Sequence, residues 1–247
     1  MATRVASRFY YGWVVVAATA VAILFAAGIR VAPGAFLLDM ANSTGWSRAS
    51  LSLAAAIGLL VYGFTGPAAG SLMLRIGSRK VATAALLITA AALAVTSVVQ
   101  EEWQLTLTFG LLSGIGTGLI ASVLGATVAN RWFVRHRGVV IGIFGAASSA
   151  GQLIFYPLLT SMVEGSGWRG SALTLAILAA LLSIPIALLL RDDPADLAVK
   201  PLGESATDRP VQRTSEEGTM RRALRTPTFW LLAGTFFVCG FSSNGVV

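Results

Sequence analysis

Gly12 to Ile29 reads Gly-Trp-Val-Val-Val-Ala-Ala-Thr-Ala-Val-Ala-Ile-Leu-Phe-Ala-Ala-Gly-Ile, without a single charge. An apolar run of roughly 18 residues or more is long enough to cross a bilayer as a helix. The run continues past Arg30 to Leu38, so the first span is Tyr11–Leu38 and the arginine lies inside it. A charge at the centre of a membrane helix costs about 2.5–3.5 kcal/mol on insertion scales. Two readings of Arg30 stand side by side. Its stem lies along the helix while its head snorkels to the outer headgroups, or it faces a water-filled cavity and meets an anion there.

Composition agrees with a membrane solvent. Apolar residues make up 55% of the chain and charged residues 12%, against about 25% charged in soluble domains. Mean hydropathy is +0.76. The net charge of +7 does not point to nucleic acid, because the basic residues are distributed by topology. The single cysteine, Cys239, excludes an internal disulfide and a cysteine metal cluster, and the single histidine, His136, lies in a basic loop. No metal or cofactor is expected. Arg4 and Arg8 ahead of an apolar run imitate a signal peptide, but the run is too long and further spans follow, so it reads as the first helix.

Six spans are expected, at Tyr11–Leu38, Ala49–Leu74, Val81–Val99, Leu105–Asn130, Gly138–Val163 and Ser171–Leu190. Outside Arg30, every Lys and Arg except Arg48 and Arg169 falls in one set of loops. By the positive-inside rule that set is cytoplasmic, which places the N-terminus inside. Residues 1–190 then form a six-helix bundle. Residues 191–227, with Asp192-Asp193-Pro194, Pro201, Pro210 and no apolar periodicity, read as a cytoplasmic linker. Its basic end at Arg221, Arg222 and Arg225 suits anionic headgroups. A seventh helix starts near residue 228 and runs to Val247.

An internal repeat is visible at an offset of 90 residues. Trp13 aligns with Trp103, Gly28 with Gly118, Pro67 with Pro157, and Gly77-Ser78-Arg79 with Gly167-Trp168-Arg169. Three spans per unit force the second unit to be inverted. Inverted repeats are a transporter signature, with the substrate site near the midplane between them. Gly114-x-x-x-Gly118 and Gly138-x-x-x-Gly142 set glycines on one helix face for close approach.

The ordered motifs carry a resemblance. Tyr11-Gly12-Trp13 opens helix one, Gly45-Trp46-Ser47-Arg48 precedes helix two, and Gly70 to Lys80 joins helices two and three through Arg75, Gly77 and Arg79. Arg131-Trp132-Phe133-Val134-Arg135-His136-Arg137-Gly138 joins helices four and five, and Gly167-Trp168-Arg169-Gly170 opens helix six. Together they resemble the major facilitator superfamily, within it the group of monocarboxylate transporters and oxalate/formate antiporters. The resemblance implies an all-α integral membrane fold. The chain would be the N-terminal six-helix bundle of two 3+3 inverted repeats plus most of helix seven, part of a longer protein that is monomeric when full length. Helices one, two, four and five would line the cavity. Two departures stand out. Leu74 occupies the place of the family's usual loop aspartate, and Arg8-Phe9-Tyr10 stands where eukaryotic monocarboxylate transporters carry an acid, which favours a bacterial inner-membrane protein.

The function implied is secondary transport of a small organic anion, a mono- or dicarboxylate, by alternating access, with proton symport or anion exchange. An arginine in low dielectric binds a carboxylate bidentately. Arg30 is therefore the substrate candidate, joined by Tyr62, which matches a tyrosine of that group, and by its repeat-equivalent Gln152. Both also read as ordinary packing residues. Gly70, Arg75, Gly77, Arg79, Lys80, Arg135 and Arg137 form the cytoplasmic gate motif, or serve topology alone. The alternative is export of a drug or neutral compound. A membrane-embedded enzyme or sensor is the remote reading, since an enzyme needs a nucleophile–base pair or metal ligands at depth.

Overall fold

The computed structural model describes residues 10–120, 122–197, 199–203, 225–231, 234, 235 and 238. The chain falls into two compact units, Met1–Ser205 and Ala206–Val247. In the second unit residues 227–231 are helical. Most of the expected seventh helix, most of the linker, and Arg221 and Arg222 lie outside the described residues.

The first unit is all helical among its described residues, because a bilayer supplies no water to unpaired backbone groups and the helix satisfies them internally. Five apolar helices are long enough to cross a membrane. They are α1 (Gly12–Thr44), α2 (Arg48–Ile76), α3 (Ser78–Thr96), α4 (Glu102–Trp132) and Arg137–Leu189. The last has 53 residues, about 80 Å at 1.5 Å per residue and far more than a hydrocarbon core of about 30 Å. Gly167 divides it. Its φ of 68° and ψ of 173° are non-helical and break the rod into α5 (137–166) and α6 (168–189). A helix thus stands at each of the six places where a span is expected.

Local chemistry sets the ends. Gly45, at φ 75°, stops α1 in the left-handed conformation that favours glycine. The Ser47 side chain then accepts the Ser50 N–H at 3.1 Å and caps α2. Inside α1 the helix breaks at Val31, with Gly12–Arg30 before it and Ala32–Thr44 after it. Pro33 suits the first turn of the second limb, where its missing N–H is not needed.

Packing makes the repeat visible. A Cβ added to Gly28 would strike the Phe155 ring, and one on Gly151 the Leu24 carbonyl. These contacts advance together, so α1 and α5 run parallel. Cβ atoms on Gly110, Gly114 and Gly118 would lie 2.9, 2.8 and 2.9 Å from the carbonyl oxygens of Ala54, Gly58 and Tyr62. So α2 and α4 also run parallel, in backbone contact. Gly118 equally meets Thr65. The offset of 90 residues carries Gly28 to Gly118 and Thr65 to Phe155. The α1–α5 contact is thus the α4–α2 contact repeated, with α4 inverted against α1. Gly77 and Gly167 are matched in the same way, at φ 94° and 68°.

Gly167→Ala is expected to destabilise the bundle by about 1–3 kcal/mol, because this φ/ψ region is essentially closed to side chains. Gly165→Ala, in regular helix with open space around it, should leave the melting temperature in detergent unchanged or raised.

Candidate functional site

Arg30 ends the first limb of α1, half-buried and level with the break at Val31. Its Nη1 donates to the Tyr62 hydroxyl at 3.3 Å, and the guanidinium carbon stands 5.4 Å from the Tyr62 ring centroid. Both side chains line a cavity of about 370 Å³. The other walls come from α1 (Ile23, Ala26, Ala27), α4 (Thr117, Gly125, Ala126) and α5 (Ile141, Phe144, Gly145, Ser148). These are helices one, two, four and five, as the resemblance implies.

The lining is chiefly apolar, which strengthens the field of the guanidinium. Arginine has five N–H donors, and Tyr62 takes one of them. The Tyr62 oxygen accepts from Arg30, so its own hydrogen is free to donate, and among the described residues it has no acceptor. Arg30 and Tyr62 therefore offer an anion converging donors. The Thr117 hydroxyl donates instead to the Ser113 carbonyl at 2.7 Å. Ser148 brings to the wall a hydroxyl with no partner among the described residues. It was not singled out in the sequence, since a serine in a Gly/Ala-rich helix carries no signal of its own. Gln152 lies one turn beyond Ser148 and is not among the lining residues; its amide donates to the Ser148 carbonyl at 3.4 Å.

The expected gate residues cluster at the opposite helix ends, around the α2–α3 joint. Gly77 breaks the helix at φ 94°. The Asp192 carboxylate accepts from the Ser78 hydroxyl at 2.9 Å and the Arg79 N–H at 2.8 Å. A negative group at a helix N-terminus meets its free N–H groups and its dipole. Arg131 donates to the Asp192 carbonyl at 3.1 Å and, from its other Nη, to the Met73 carbonyl at the end of α2 at 3.4 Å. Arg137 folds back on the Phe133 carbonyl at 2.6 Å at the end of α4. Gly70 faces Val123 at ordinary contact distance. Arg75, Lys80 and Arg135 are exposed.

Residues 191–197 and 199–203, expected in the linker, lie against this face through Asp192, Lys200 and Leu202. Leu202 donates to the Trp132 carbonyl at 2.9 Å and accepts from the Val134 N–H at 3.0 Å. The Tyr10 hydroxyl reaches the carbonyls of Trp132 and Lys200 at 3.0 and 3.2 Å, and Tyr11 reaches that of Leu189 at 2.9 Å. Burial pushes the Tyr10 phenol above its ordinary value, with the Leu202 backbone pulling the other way. At the far end Asp39 plays the part that Asp192 plays here, accepting the Trp168 N–H of α6 at 2.8 Å. The Trp168 indole donates to Ser43 at 3.0 Å.

Comparison with known proteins agrees with this architecture. Residues 11–247 match the family model of the Major Facilitator Superfamily. The chain is 30% identical over 198 residues to Monocarboxylate transporter 11 of Mus musculus, covering 80% of this chain and 43% of that protein. It is 29% identical over 130 residues to the Oxalate:formate antiporter of Oxalobacter formigenes, covering 53% of this chain and 29% of that one. It is 27% identical over 173 residues to the Fujikurins efflux protein of Gibberella fujikuroi, covering 70% and 34%. The chain thus spans less than half the length of these relatives.

Asp192→Ala is expected to cost about 1 kcal/mol, the usual worth of a helix N-cap, while Asp192→Asn, which keeps an acceptor oxygen, costs less. Thermal melts in detergent compare the two.

Proposed function

The chain belongs to the Major Facilitator Superfamily, and on that premise we propose that the protein moves a small organic anion, a mono- or dicarboxylate, across a membrane by alternating access. The observation that carries the reading is Arg30. A guanidinium half-buried in a chiefly apolar cavity, whose partner among the described residues is one hydroxyl at 3.3 Å, is a costly arrangement in a membrane unless it meets a counter-charge. A carboxylate supplies that charge, and the Arg30 and Tyr62 donors suit it. Transporters of carboxylates among the relatives support the same class. The distribution of basic residues supports a cytoplasmic N-terminus, and Arg8-Phe9-Tyr10 in place of an acid supports a bacterial inner-membrane protein. Gly70, Arg75, Gly77, Arg79, Lys80, Arg135 and Arg137 then serve the inner gate, with Asp192 supplying the acid that Leu74 does not.

Export of a drug or neutral compound is the second reading. It is favoured by the likeness to the Fujikurins efflux protein and by the apolar walls of the cavity.

Uptake of ¹⁴C-formate, ¹⁴C-lactate and ¹⁴C-oxalate by proteoliposomes containing the full-length protein tests the proposal. Arg30→Gln should lower uptake by at least about tenfold, the scale of one lost charge-assisted contact, with Arg30→Lys retaining part of the activity because it keeps charge but not the fork. Dependence on an acid exterior identifies proton symport, and dependence on carboxylate loaded inside identifies exchange. Uptake unchanged by Arg30→Gln overturns the anion reading, and Arg30-independent efflux of a neutral dye establishes the exporter instead.

A further inference from the structure

We propose that Gly118 of α4 is a positioning residue for the Arg30–Tyr62 pair, and that it sets how tightly the cavity holds its anion. The inference rests on the carboxylate reading above and adds a determinant that does not itself touch substrate.

The backbone of α2 at Tyr62 lies directly on Gly118. A Cβ there would stand 2.9 Å from the Tyr62 carbonyl oxygen, 3.1 Å from its Cα and 2.9 Å from the Thr65 Cβ. All three are backbone or Cβ atoms, which no rotamer change can move aside. Any side chain at 118 therefore displaces the α2 backbone at Tyr62. The hydroxyl of Tyr62 sits 3.3 Å from Arg30 Nη1, near the outer limit of a hydrogen bond. A shift of a few tenths of an ångström away from α1 breaks it. Arg30 then loses the one partner that orients its fork among apolar walls.

The same geometry supplies the control. Gly114, one turn earlier, is equally crowded, at 2.8 Å from the Gly58 carbonyl oxygen and 3.2 Å from the Val61 Cβ, but the atoms nearest a Cβ there belong to Gly58 and Val61 rather than to Tyr62. Gly28, the repeat-equivalent of Gly118 on α1, receives the Phe155 ring and not a cavity polar group.

Two measurements on the full-length protein test the proposal. The first is a double-mutant cycle on ¹⁴C-formate and ¹⁴C-oxalate transport, read as apparent affinity and as maximal rate. Gly118→Ala should weaken apparent affinity about tenfold in the wild-type background and leave it unaltered in the Tyr62→Phe background, where the hydroxyl is already gone. An additive effect in both backgrounds, or a loss of maximal rate alone, overturns the positioning role. The second is the rise in melting temperature that formate or oxalate gives in detergent, which also reports whether each variant folds. Gly114→Ala should keep the wild-type rise and Gly118→Ala should lose most of it; equal loss by the two overturns the proposal. The two failures are distinguishable: Arg30→Gln without effect on uptake removes the anion reading, whereas equal loss by Gly114→Ala and Gly118→Ala removes Gly118 alone.

Discussion

Close approach of helix backbones at glycine is the constraint on which this bundle depends. Lipid tails are as apolar as leucine, so helices in a membrane gain little from burying apolar faces and associate through tight packing. Here α1 lies on α5 where Gly28 accepts Phe155 and Gly151 accepts the Leu24 backbone, and α4 lies on α2 along Gly110, Gly114 and Gly118. The two contacts are equivalents under the internal repeat. Between them they fix the places of α1, α2, α4 and α5, the four helices that line the cavity.

Charge is handled by the same economy. The described spans keep their acids near the ends: Asp39, Glu102 and Glu164. Acids work at helix N-termini. Asp39 receives the Trp168 N–H of α6, and Asp192 receives the Arg79 N–H of α3. Arg131 and Arg137 work at C-terminal carbonyls, the opposite pole of the dipole. Most of these charges tie joints together at the rims. Arg30 is different, since it ends a helix limb within the cavity wall and, among the described residues, its hydrogen-bond partner is a tyrosine hydroxyl. The proposed anion contact is this departure from the pattern.

The spans, the repeat and Arg30 were legible in the sequence because each leaves a local mark: an uncharged run, a recurring Gly-x-Arg triplet, a lone cation. Other features were not. The break at Val31 and the extension of α1 to Thr44 depend on Pro33 and on the left-handed Gly45 acting in a helix whose apolar pattern ends sooner. Residues 191–203 have the composition of a linker, and tertiary partners such as Ser78, Trp132 and Tyr10 make Asp192, Lys200 and Leu202 part of the bundle. Gln152 follows from the repeat as a partner of Tyr62, but repeat symmetry relates backbones and not polarity; its amide turns to its own helix and leaves Ser148 on the wall.

The central claim is that Arg30 faces a water-filled, anion-accepting cavity. It is tested most directly by placing a single thiol there, Arg30→Cys in a full-length protein whose native cysteines, Cys239 included, are replaced by serine, and measuring its reaction with a membrane-impermeant methanethiosulfonate reagent. The account predicts reaction, slowed when formate, lactate or oxalate is present. A thiol that fails to react, as one buried in lipid would, or whose rate none of the three carboxylates alters, contradicts it.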